Sequence, residues 1–286
     1  MFGEWIRRNG FWTLDFVRGS RVRKHLVDIR EIMENVDSPS SIDRQNRYLT
    51  DILGYAAENV PFYRGFSGAP LSDLPIVDKT IIKENYGAFQ SHEFKDQEVF
   101  ELHTSGSTGT PFIVRQDSNK RNRVYAEMVY FWGKAGFQLG EKYMYFRIWT
   151  DINRKTRLTA WARNLVMHDI LRLDQDSLES VRHQLKNDKK VRMLLGYAST
   201  FDNLATYLHD HGDTPEMFSI DTVISISEVL QESTRDKLKA VFGGNVVSHY
   251  SNSENGVLAQ ECVDNMEFHL NTELSPYNCV KLVSPW

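Results

Sequence analysis

Short apolar segments alternate with helical segments over most of the chain after residue 96. The apolar segments have the length and the β-branched or aromatic content of strands, and they lie at 142–147, 191–195, 222–226 and 245–249. Between these segments, apolar residues recur at helical spacing, at 178–185, 201–209 and 233–242. A chain that alternates in this way packs its helices against a sheet, so the pattern predicts a layered α/β fold.

The first third of the chain has a different pattern, which is dominated by helix and loop. Apolar residues at helical spacing predict a helix over 41–60, which Pro61 ends. Asp78 is a good N-cap for a second helix ahead of Lys79. We therefore expect a helical lead over residues 1–95, packed on an α/β region over residues 96–286.

Residues 1–30 combine aromatic and basic side chains. The aromatic residues are Phe2, Trp5, Phe11, Trp12 and Phe16, and arginine and lysine residues lie between and after them. Such a segment fits either a helix that lies on an anionic lipid surface or a terminal helix whose aromatic residues dock on the body of the protein. Gly10 and Gly19 interrupt a long amphipathic helix, which favours docking.

The overall charge and the cysteine content restrict the classes of function. The 286 residues carry a net charge of −4 at pH 7, whereas general nucleic-acid binders are usually basic. Arg7 and Arg8 interrupt the apolar stretch near the N-terminus, and no run approaches the roughly 20 apolar residues of a spanning helix. Cys262 and Cys279 are too few for a disulfide framework. We expect a cytoplasmic protein without a nucleic-acid partner.

The segment from His103 to Phe112 is rich in glycine and hydroxyl side chains, which predicts a loop. Gly106 and Gly109 lack a Cβ atom, so backbone N–H groups and hydroxyls can approach phosphate oxygens closely. The spacing of the glycines matches neither a Walker loop nor a dinucleotide-binding loop. The segment is therefore either a phosphate cradle or a mobile linker.

Three further polar turns follow predicted strands, and ligands of open α/β sheets bind at the carboxyl ends of strands. The turns are Gly196–Ser199, Ser225–Leu230 and Tyr250–Gly256. In the last turn, the tyrosine ring can stack on a flat ligand, and a hydroxyl with a carboxylate can meet a phosphate and its Mg²⁺. Taken alone, the last turn is more typical of an ordinary polar connection after a strand, and the other two are also consistent with ordinary strand-to-helix turns.

Together, these segments resemble the adenylate-forming (acyl-activating) enzyme superfamily in order and approximate spacing, from about residue 45 to 270. Thr104-Ser105-Gly106-Ser107-Thr108-Gly109-Thr110-Pro111 resembles its phosphate-binding loop, and Tyr250-x-x-Ser253-Glu254 resembles its downstream motif. The run from Asn59 to Arg64, followed by Leu74 to Lys79, is similar to the leader of one branch. That branch contains phenylacetate–coenzyme A ligase and capsular polysaccharide biosynthesis proteins.

The resemblance implies a binding site for ATP and Mg²⁺. The residues that it assigns to the β- and γ-phosphates are Thr104, Ser105, Gly106, Ser107, Thr108 and Gly109. The residues that it assigns to the adenine are Ser227, Glu228, Val229 and Tyr250. It further implies that Ser253 faces the α-phosphate, that Glu254 holds Mg²⁺ and that Tyr197 lines the pocket for the acyl group.

The reaction that the resemblance implies is the attack of a small carboxylic acid on the α-phosphorus of ATP. It gives an acyl-adenylate and pyrophosphate, after which a thiol, often coenzyme A, takes the acyl group. Positioning and charge stabilisation carry such a step, so no side chain is assigned as a catalytic residue. The branch links the activity to surface polysaccharide biosynthesis.

Three departures from the family pattern affect these expectations. Phe112 stands where a lysine often follows the loop, and Ser251 stands where the downstream motif has a glycine. The sequence ends at Trp286, before the ribose-binding Asp motif and the mobile carboxy-terminal domain with its catalytic lysine. The resemblance therefore implies a fragment or a nucleotide-binding remnant, inactive or weak as this chain.

Other functions and sites stay open on the sequence alone. One alternative is a non-catalytic nucleotide-binding or scaffold protein of a polysaccharide assembly at a membrane surface. Another is an α/β domain in which the loop after residue 103 is only a linker. Cys262, His269 and Cys279 are candidate zinc ligands, although their spacing matches no usual zinc site. His249 is interpreted as a packed imidazole, because adenylation requires no general base.

Overall fold

The computed structural model describes residues 2–94, 99–104, 112–151 and 153–272. The helices are α1 (Phe2–Val17), α2 (Arg21–Glu34), α3 (Pro39–Asn59), α4 (Lys79–Glu84), α5 (Ser118–Lys134), α6 (Arg157–Arg163), α7 (Gln175–Asn187), α8 (Ala198–Asp210) and α9 (Glu232–Phe242). The strands are β1 (Phe100–Thr104), β2 (Phe112–Gln116), β3 (Lys142–Arg147), β4 (Leu165–Asp169), β5 (Val191–Tyr197), β6 (Thr222–Ile226), β7 (Asn245–Asn252), β8 (Gly256–Glu261) and β9 (Phe268–Leu270). Short 3₁₀ turns lie at Pro61–Phe66, Leu71–Asp73, Tyr86–Phe89, His92–Phe94 and Pro215–Met217.

The described strands form two sheets. The larger sheet has the order β4-β3-β5-β6-β7-β8-β9. The first five strands in this order, β4, β3, β5, β6 and β7, are parallel, and β8 and β9 are antiparallel additions at one edge. The smaller sheet is the antiparallel pair β1-β2. The mixed α/β architecture with a mainly parallel sheet confirms the fold class that the sequence predicts.

The parallel strands are buried on both faces. Successive side chains of a strand point to opposite faces, and in these strands both sets belong to a core. Met144, Leu194 and Val223 belong to the core on the face that α7, α8 and α9 cover. Met193 and Ile224, one residue away along their strands, belong to the core that includes Trp132 of α5 and other residues on the opposite face. Near-continuous apolar runs are therefore needed, and the sequence provides them.

The contacts group the chain into two compact units. One unit comprises Met1–Leu26 and Tyr125–Leu270, and it contains the larger sheet. The other comprises Val27–Val124 and Asn271–Trp286, and it contains the β1-β2 pair and α3. The division at residue 95 that composition suggests stays a prediction.

The two helices predicted in the first third of the chain are present, and side-chain carboxylates cap the starts of α4 and α5. Helix α3 covers the predicted 41–60 segment and ends before Pro61. The Asp78 carboxylate accepts a hydrogen bond from the Ile81 N–H at 2.8 Å, which caps α4. The Asp117 carboxylate accepts from the Lys120 N–H at 2.6 Å at the start of α5.

Helix α1 corrects the expectation that Gly10 interrupts the first helix. The helix continues through Gly10 to Val17, and the chain turns at Gly19, whose φ is +90°. Packing within its unit offsets the roughly 1 kcal/mol cost of a helical glycine. A Cβ atom at Gly140 would lie 2.5 Å from the Glu4 carbonyl oxygen, so α1 rests directly on the backbone at that glycine.

Two strand ends also differ from the sequence prediction. β5 continues past Gly196 to Tyr197, and a Cβ atom at Gly196 would lie 2.9 Å from the Phe146 Cβ atom. β7 continues to Asn252 rather than ending at His249, because pairing with β8 extends it beyond its last partner in β6. The sequence patterns predicted neither β4 nor α6, which are short. None of the described helices is both long and apolar enough to cross a membrane.

Candidate functional site

The parallel sheet contains a topological switch point between β3 and β5. From β3 the chain moves to β4 on one side, whereas β5, β6 and β7 follow on the other side. The connection after β3 begins with Trp149, which packs in the core on the α5 face, whereas α8 after β5 packs in the opposite core. Connections that leave to opposite faces open a crevice at the carboxyl ends of the strands, where ligands of such sheets bind.

Aromatic residues and one arginine lie at the carboxyl ends of β3 and β5. The Arg147 guanidinium carbon lies 6.0 Å from the ring centroids of both Tyr145 and Trp149. Tyr145 is largely buried, which raises its pKa and keeps the phenol neutral. Tyr197, the predicted wall of the acyl pocket, is half-buried at the end of β5. Trp149 is only 6% exposed, so the accessible groups at this edge are the Tyr197 ring and the Arg147 guanidinium.

The predicted adenine segment forms a tight exposed turn after β6. The Glu228 N–H donates to the Ile226 carbonyl oxygen at 2.9 Å, and the intervening Ser227 has a φ of +67°. This is a γ-turn with positive φ, which is strained for a residue with a side chain. Val229 is 74% exposed. Strained backbone next to exposed side chains is typical of ligand-binding positions.

Glu228 connects two of the predicted segments directly. Its carboxylate accepts a hydrogen bond at 2.7 Å from the backbone N–H of Ser199, in the first turn of α8. A carboxylate at this position satisfies one free N–H group and faces the positive end of the helix dipole. Glu228 therefore fixes the turn after β6 to the helix that follows Tyr197.

The downstream motif begins within β7 and continues into the loop that joins β7 to β8. Tyr250 lies within β7 and is 52% exposed, next to a register shift between Tyr250 and Ser251. Ser253 and Glu254 occupy the loop between β7 and β8, with Ser253 exposed and Glu254 half-buried. The side-chain oxygen of Asn252 accepts a hydrogen bond from the Asn255 N–H at 2.6 Å and closes this loop.

A buried ion pair between Arg235 and Glu261 connects helix α9 to the β7–β8 hairpin. The Arg235 guanidinium on α9 contacts both carboxylate oxygens of Glu261 on β8, at 3.0 and 2.9 Å, and donates to the Val246 carbonyl oxygen at 2.7 Å. Glu261 also accepts from the Ser248 N–H at 2.7 Å. The exposed fractions of the Arg235 and Glu261 side chains are only 3% and 9%. The pair therefore connects α9, β7 and β8 through satisfied polar groups.

His249 is a buried, hydrogen-bonded imidazole. Its Nδ1 atom lies 2.9 Å from the Gln260 side-chain oxygen, and the Gln260 amide donates to the Phe131 carbonyl oxygen at 2.6 Å. Because the Gln260 side-chain oxygen can only accept a hydrogen bond, the Nδ1 atom of His249 carries the proton. Burial lowers the pKa of His249 to about 4, so the ring is neutral near pH 7. This geometry agrees with a packed imidazole.

The remaining predicted site residues fall partly outside the described residues. Thr104 ends β1, whereas Ser105, Gly106, Ser107, Thr108 and Gly109 lie outside the described residues. Cys279 also lies outside them, and within the described part of the chain no cluster of three metal-ligating side chains occurs. The structure therefore describes where the segments predicted for the adenine, the acyl group and the downstream motif lie, whereas their roles and the phosphate loop stay predictions.

Sequence reasoning missed Arg147 and Arg235. The signal for Arg147 is a cation at the last position of an otherwise apolar strand, and this signal was available in the sequence. Arg235 and Glu261 lie 26 residues apart on different elements, so no local pattern links them.

Comparisons with known proteins show a shared fold. No protein-family model matches the chain, and no curated protein sequence matches it. Several structures of 2-hydroxyisobutyryl-CoA ligase are similar. In the postadenylation state with R3-HIB-AMP, the TM-score is 0.66 at 15% identity, covering 85% of this chain and 55% of that one. In the thioesterification state with 2-HIB-AMP and CoA, it is 0.65 at 15% identity, covering 85% and 56%.

The open conformation of the same ligase, with 2-HIB-AMP and CoA, has a TM-score of 0.59 at 14% identity, covering 81% of this chain and 58% of that one. The chain thus spans little more than half the length of these structures. At this identity the likeness defines the fold: an α/β region shared with an acyl-CoA ligase.

Proposed function

We propose that the chain binds ATP with Mg²⁺ and activates a small carboxylic acid as an acyl-adenylate. The carboxylate oxygen forms a bond to the α-phosphorus, and the bond to pyrophosphate breaks. The observation that carries the proposal is the position of three predicted segments. They lie at the carboxyl ends of the neighbouring strands β5, β6 and β7, beside a topological switch point.

The exposed residues of this edge fit a nucleotide. The half-exposed Tyr250 ring and the strained turn at Ser227 offer a stacking surface and an exposed backbone for adenine. In this proposal Ser253 faces the α-phosphate, and Glu254 provides an oxygen ligand of the kind that Mg²⁺ prefers. Bound Mg²⁺ would neutralise phosphate charge, and the loop over residues 104–109 would hold the β- and γ-phosphates.

The switch point is the proposed entrance for the acid. Tyr197 provides a flat wall for the acyl chain, and Arg147 attracts anionic substrates to the edge of the sheet. Coenzyme A is the proposed acceptor of the acyl group. The leader over residues 59–64 favours the phenylacetate–coenzyme A ligase and capsular polysaccharide branch, which links the reaction to surface polysaccharide biosynthesis.

Isothermal titration with ATP and Mg²⁺ tests the nucleotide site. We expect binding by the wild-type chain and a loss of about tenfold or more in affinity for Glu254→Ala, because a charged metal ligand is removed. Glu216→Ala is the matched control, because Glu216 is an exposed carboxylate in the turn that precedes the amino end of β6. No heat at millimolar nucleotide, or equal affinity of wild type and Glu254→Ala, would contradict the proposal.

A second candidate function is a nucleotide-binding scaffold without catalysis. The exposed aromatic side chains on α1 favour this alternative, because a scaffold needs an attachment surface. Release of pyrophosphate from ATP, measured over a panel of carboxylic acids, distinguishes the two. Acid-dependent release supports the ligase, and ATP binding without release for any acid supports the scaffold.

A further inference from the structure

The two faces of α1 differ in exposure. On one face, the Arg8 Nε atom donates to the Leu139 carbonyl oxygen at 2.8 Å, and the Phe11 ring lies 5.1 Å from the Tyr125 ring. Asp15 on the same face is buried. On the opposite face, Phe2 is 78% exposed and Phe16 is 75% exposed. The aromatic residues near the N-terminus therefore divide into a docked set and an exposed set.

The exposed set lies on one face of the helix, with apolar side chains at both ends of a stripe. Its apolar members are Phe2, Trp5, Ile6, Phe16 and Val17, which helical spacing brings to the same face. The positions between them on that face are Asn9 and Thr13, so the stripe contains no charged residue. The helix from Phe2 to Val17 is about 24 Å long, at about 1.5 Å per residue.

A basic corner is fixed at the end of this stripe. The Asp15 carboxylate accepts hydrogen bonds from the N–H groups of Val22 and Arg23, at 2.9 and 3.0 Å, and so caps α2. The Arg23 guanidinium lies 5.0 Å from the Trp12 ring centroid. These contacts hold the basic side chains close to Phe16, and the exposed basic residues of the corner are Arg18, Arg21, Arg23 and Lys24.

The charge of this segment is opposite to that of the whole chain. Residues 1–26 contain six arginine or lysine residues and two acidic residues, whereas the chain as a whole carries −4. A local positive excess next to an uncharged aromatic stripe is complementary to an anionic lipid surface. Asn9 and Thr13 within the stripe suit the polar headgroup region better than the dry core of a protein interface.

A second exposed apolar group flanks α1. The Arg7 Nε atom donates to the Trp161 carbonyl oxygen at 2.9 Å, and its guanidinium lies 5.2 Å from the Trp161 ring centroid. Trp161 is 62% exposed, and Leu158 on the same helix is 74% exposed. Tryptophan beside arginine is the combination enriched at membrane–water interfaces.

We propose that the exposed stripe of α1 lies on the surface of an anionic membrane. The aromatic side chains enter the headgroup region, and the basic corner contacts the lipid phosphates. The body-facing side of α1 keeps its contacts, so binding requires no unfolding of the unit. The proposal is independent of the nucleotide site.

Co-sedimentation of the full chain with lipid vesicles tests the proposal. The vesicles consist of phosphatidylcholine with about one third phosphatidylglycerol, and they are compared with pure phosphatidylcholine at low and high salt. We expect wild type to bind the anionic vesicles about tenfold more tightly than the neutral ones, and to lose this preference at high salt.

Two variants separate the apolar and the charged contributions. Phe2→Ser/Trp5→Ser/Phe16→Ser should weaken binding about tenfold or more, because each removed ring takes apolar area from the interface. Arg18→Glu/Arg21→Glu should remove the preference for anionic vesicles. The control Ile76→Ser/Leu171→Ser removes exposed apolar residues elsewhere and should bind like wild type. Circular dichroism checks that each variant is folded.

Either of two results would overturn the proposal: wild type fails to bind the anionic vesicles, or the triple variant binds them as well as wild type. Light scattering after size exclusion identifies the competing occupant. If wild type binds no vesicles but forms a dimer that the triple variant loses, then a second copy of the chain covers the stripe.

Discussion

The exposed turns at the carboxyl edge of the sheet and the groups buried beneath them hold their polar atoms in different ways. Among the buried groups, Arg235 and Glu261 contact each other at 2.9 and 3.0 Å and each bonds a backbone group at 2.7 Å. Separately, the Gln260 side chain bonds His249 at 2.9 Å and the Phe131 carbonyl oxygen at 2.6 Å. At the edge, Ser227 has a strained backbone, and Tyr250 presents half of its surface to solvent. The buried groups around Arg235 and His249 use their polar atoms internally, whereas the exposed turns leave surface for a ligand.

This difference assigns separate tasks to neighbouring residues of the same strand. His249 and Tyr250 are adjacent in β7, yet the first is buried and the second is exposed. The alternation of a strand makes this division possible, because it points one side chain into the core and the next out of it. We therefore expect substitutions of the buried groups to change stability and substitutions at the edge to change ligand binding.

The largest expected effect is on the buried ion pair. Glu261→Gln removes the charge that compensates Arg235, whose side chain is only 3% exposed. We expect the free energy of unfolding to fall by about 3–5 kcal/mol, because the buried guanidinium keeps only the solvent-exposed Glu232 carboxylate, at 3.1 Å, as an ionic partner. Urea unfolding measures the change.

A control pair and a double variant show that burial is the cause. The Arg115–Glu101 pair has side chains that are both 44% exposed, so Glu101→Gln should cost less than about 1 kcal/mol. Replacing both buried partners, as Arg235→Met/Glu261→Leu, should cost less than Glu261→Gln alone. Equal losses for the buried and the exposed single variants would remove the distinction between buried and exposed groups.

The next effect is a pH dependence that originates at His249. Its pKa is about 4 in the folded chain, below the ordinary value of 6.5, so below pH 6.5 the unfolded chain binds a proton that the folded chain refuses. This contribution to stability is complete above that pH and is lost as the pH falls toward 4. The loss between about pH 7 and pH 5 is on the order of 2 kcal/mol.

His249→Asn tests this assignment, because the asparagine amide can still donate toward the Gln260 side-chain oxygen without titrating. Urea unfolding of both proteins at several pH values gives the two slopes. The variant should lose less stability than wild type on acidification. Parallel curves would show that other groups cause the acid sensitivity.

The sequence predicted those parts of the fold that depend on local chemistry. The apolar runs of β3, β5 and β6 and the cap at Asp78 follow from residues within one element. The extension of β7 to Asn252 depends on pairing with β8, which no pattern inside β7 encodes. Helix α6 has only seven residues, too few for a helical period to stand out.

The candidate site shows the same limit at the level of single contacts. The turns after β5, β6 and β7 were predicted from polar residues that follow apolar runs. The contact between Glu228 and Ser199 joins residues 29 positions apart, and it exists only because β5 and β6 are neighbours in the sheet. Motifs locate the turns, whereas the register of the sheet decides which of them touch.

A smaller effect is expected at the exposed tyrosine. Tyr250→Ala should weaken ATP binding by about 1–3 kcal/mol if the ring stacks on adenine, as aromatic side chains do on bases. Its free energy of unfolding should change by less than about 0.5 kcal/mol, because the side chain is 52% exposed. Tyr250→Phe keeps the ring and should bind like wild type in the same titration. Unchanged affinity of Tyr250→Ala would exclude the stacking role.

The smallest effect concerns Glu228, which lies in the exposed turn after β6 and caps the first turn of α8. Its carboxylate accepts from the Ser199 N–H at 2.7 Å, while its side of the turn is exposed. Glu228→Gln keeps a side-chain acceptor but removes the charge that faces the helix dipole, so we expect a loss of only about 0.3–1 kcal/mol in unfolding free energy. Paired urea unfolding and ATP titration decide its role: a loss of affinity larger than the loss of stability indicates a ligand contact, and a loss of stability alone indicates a helix cap.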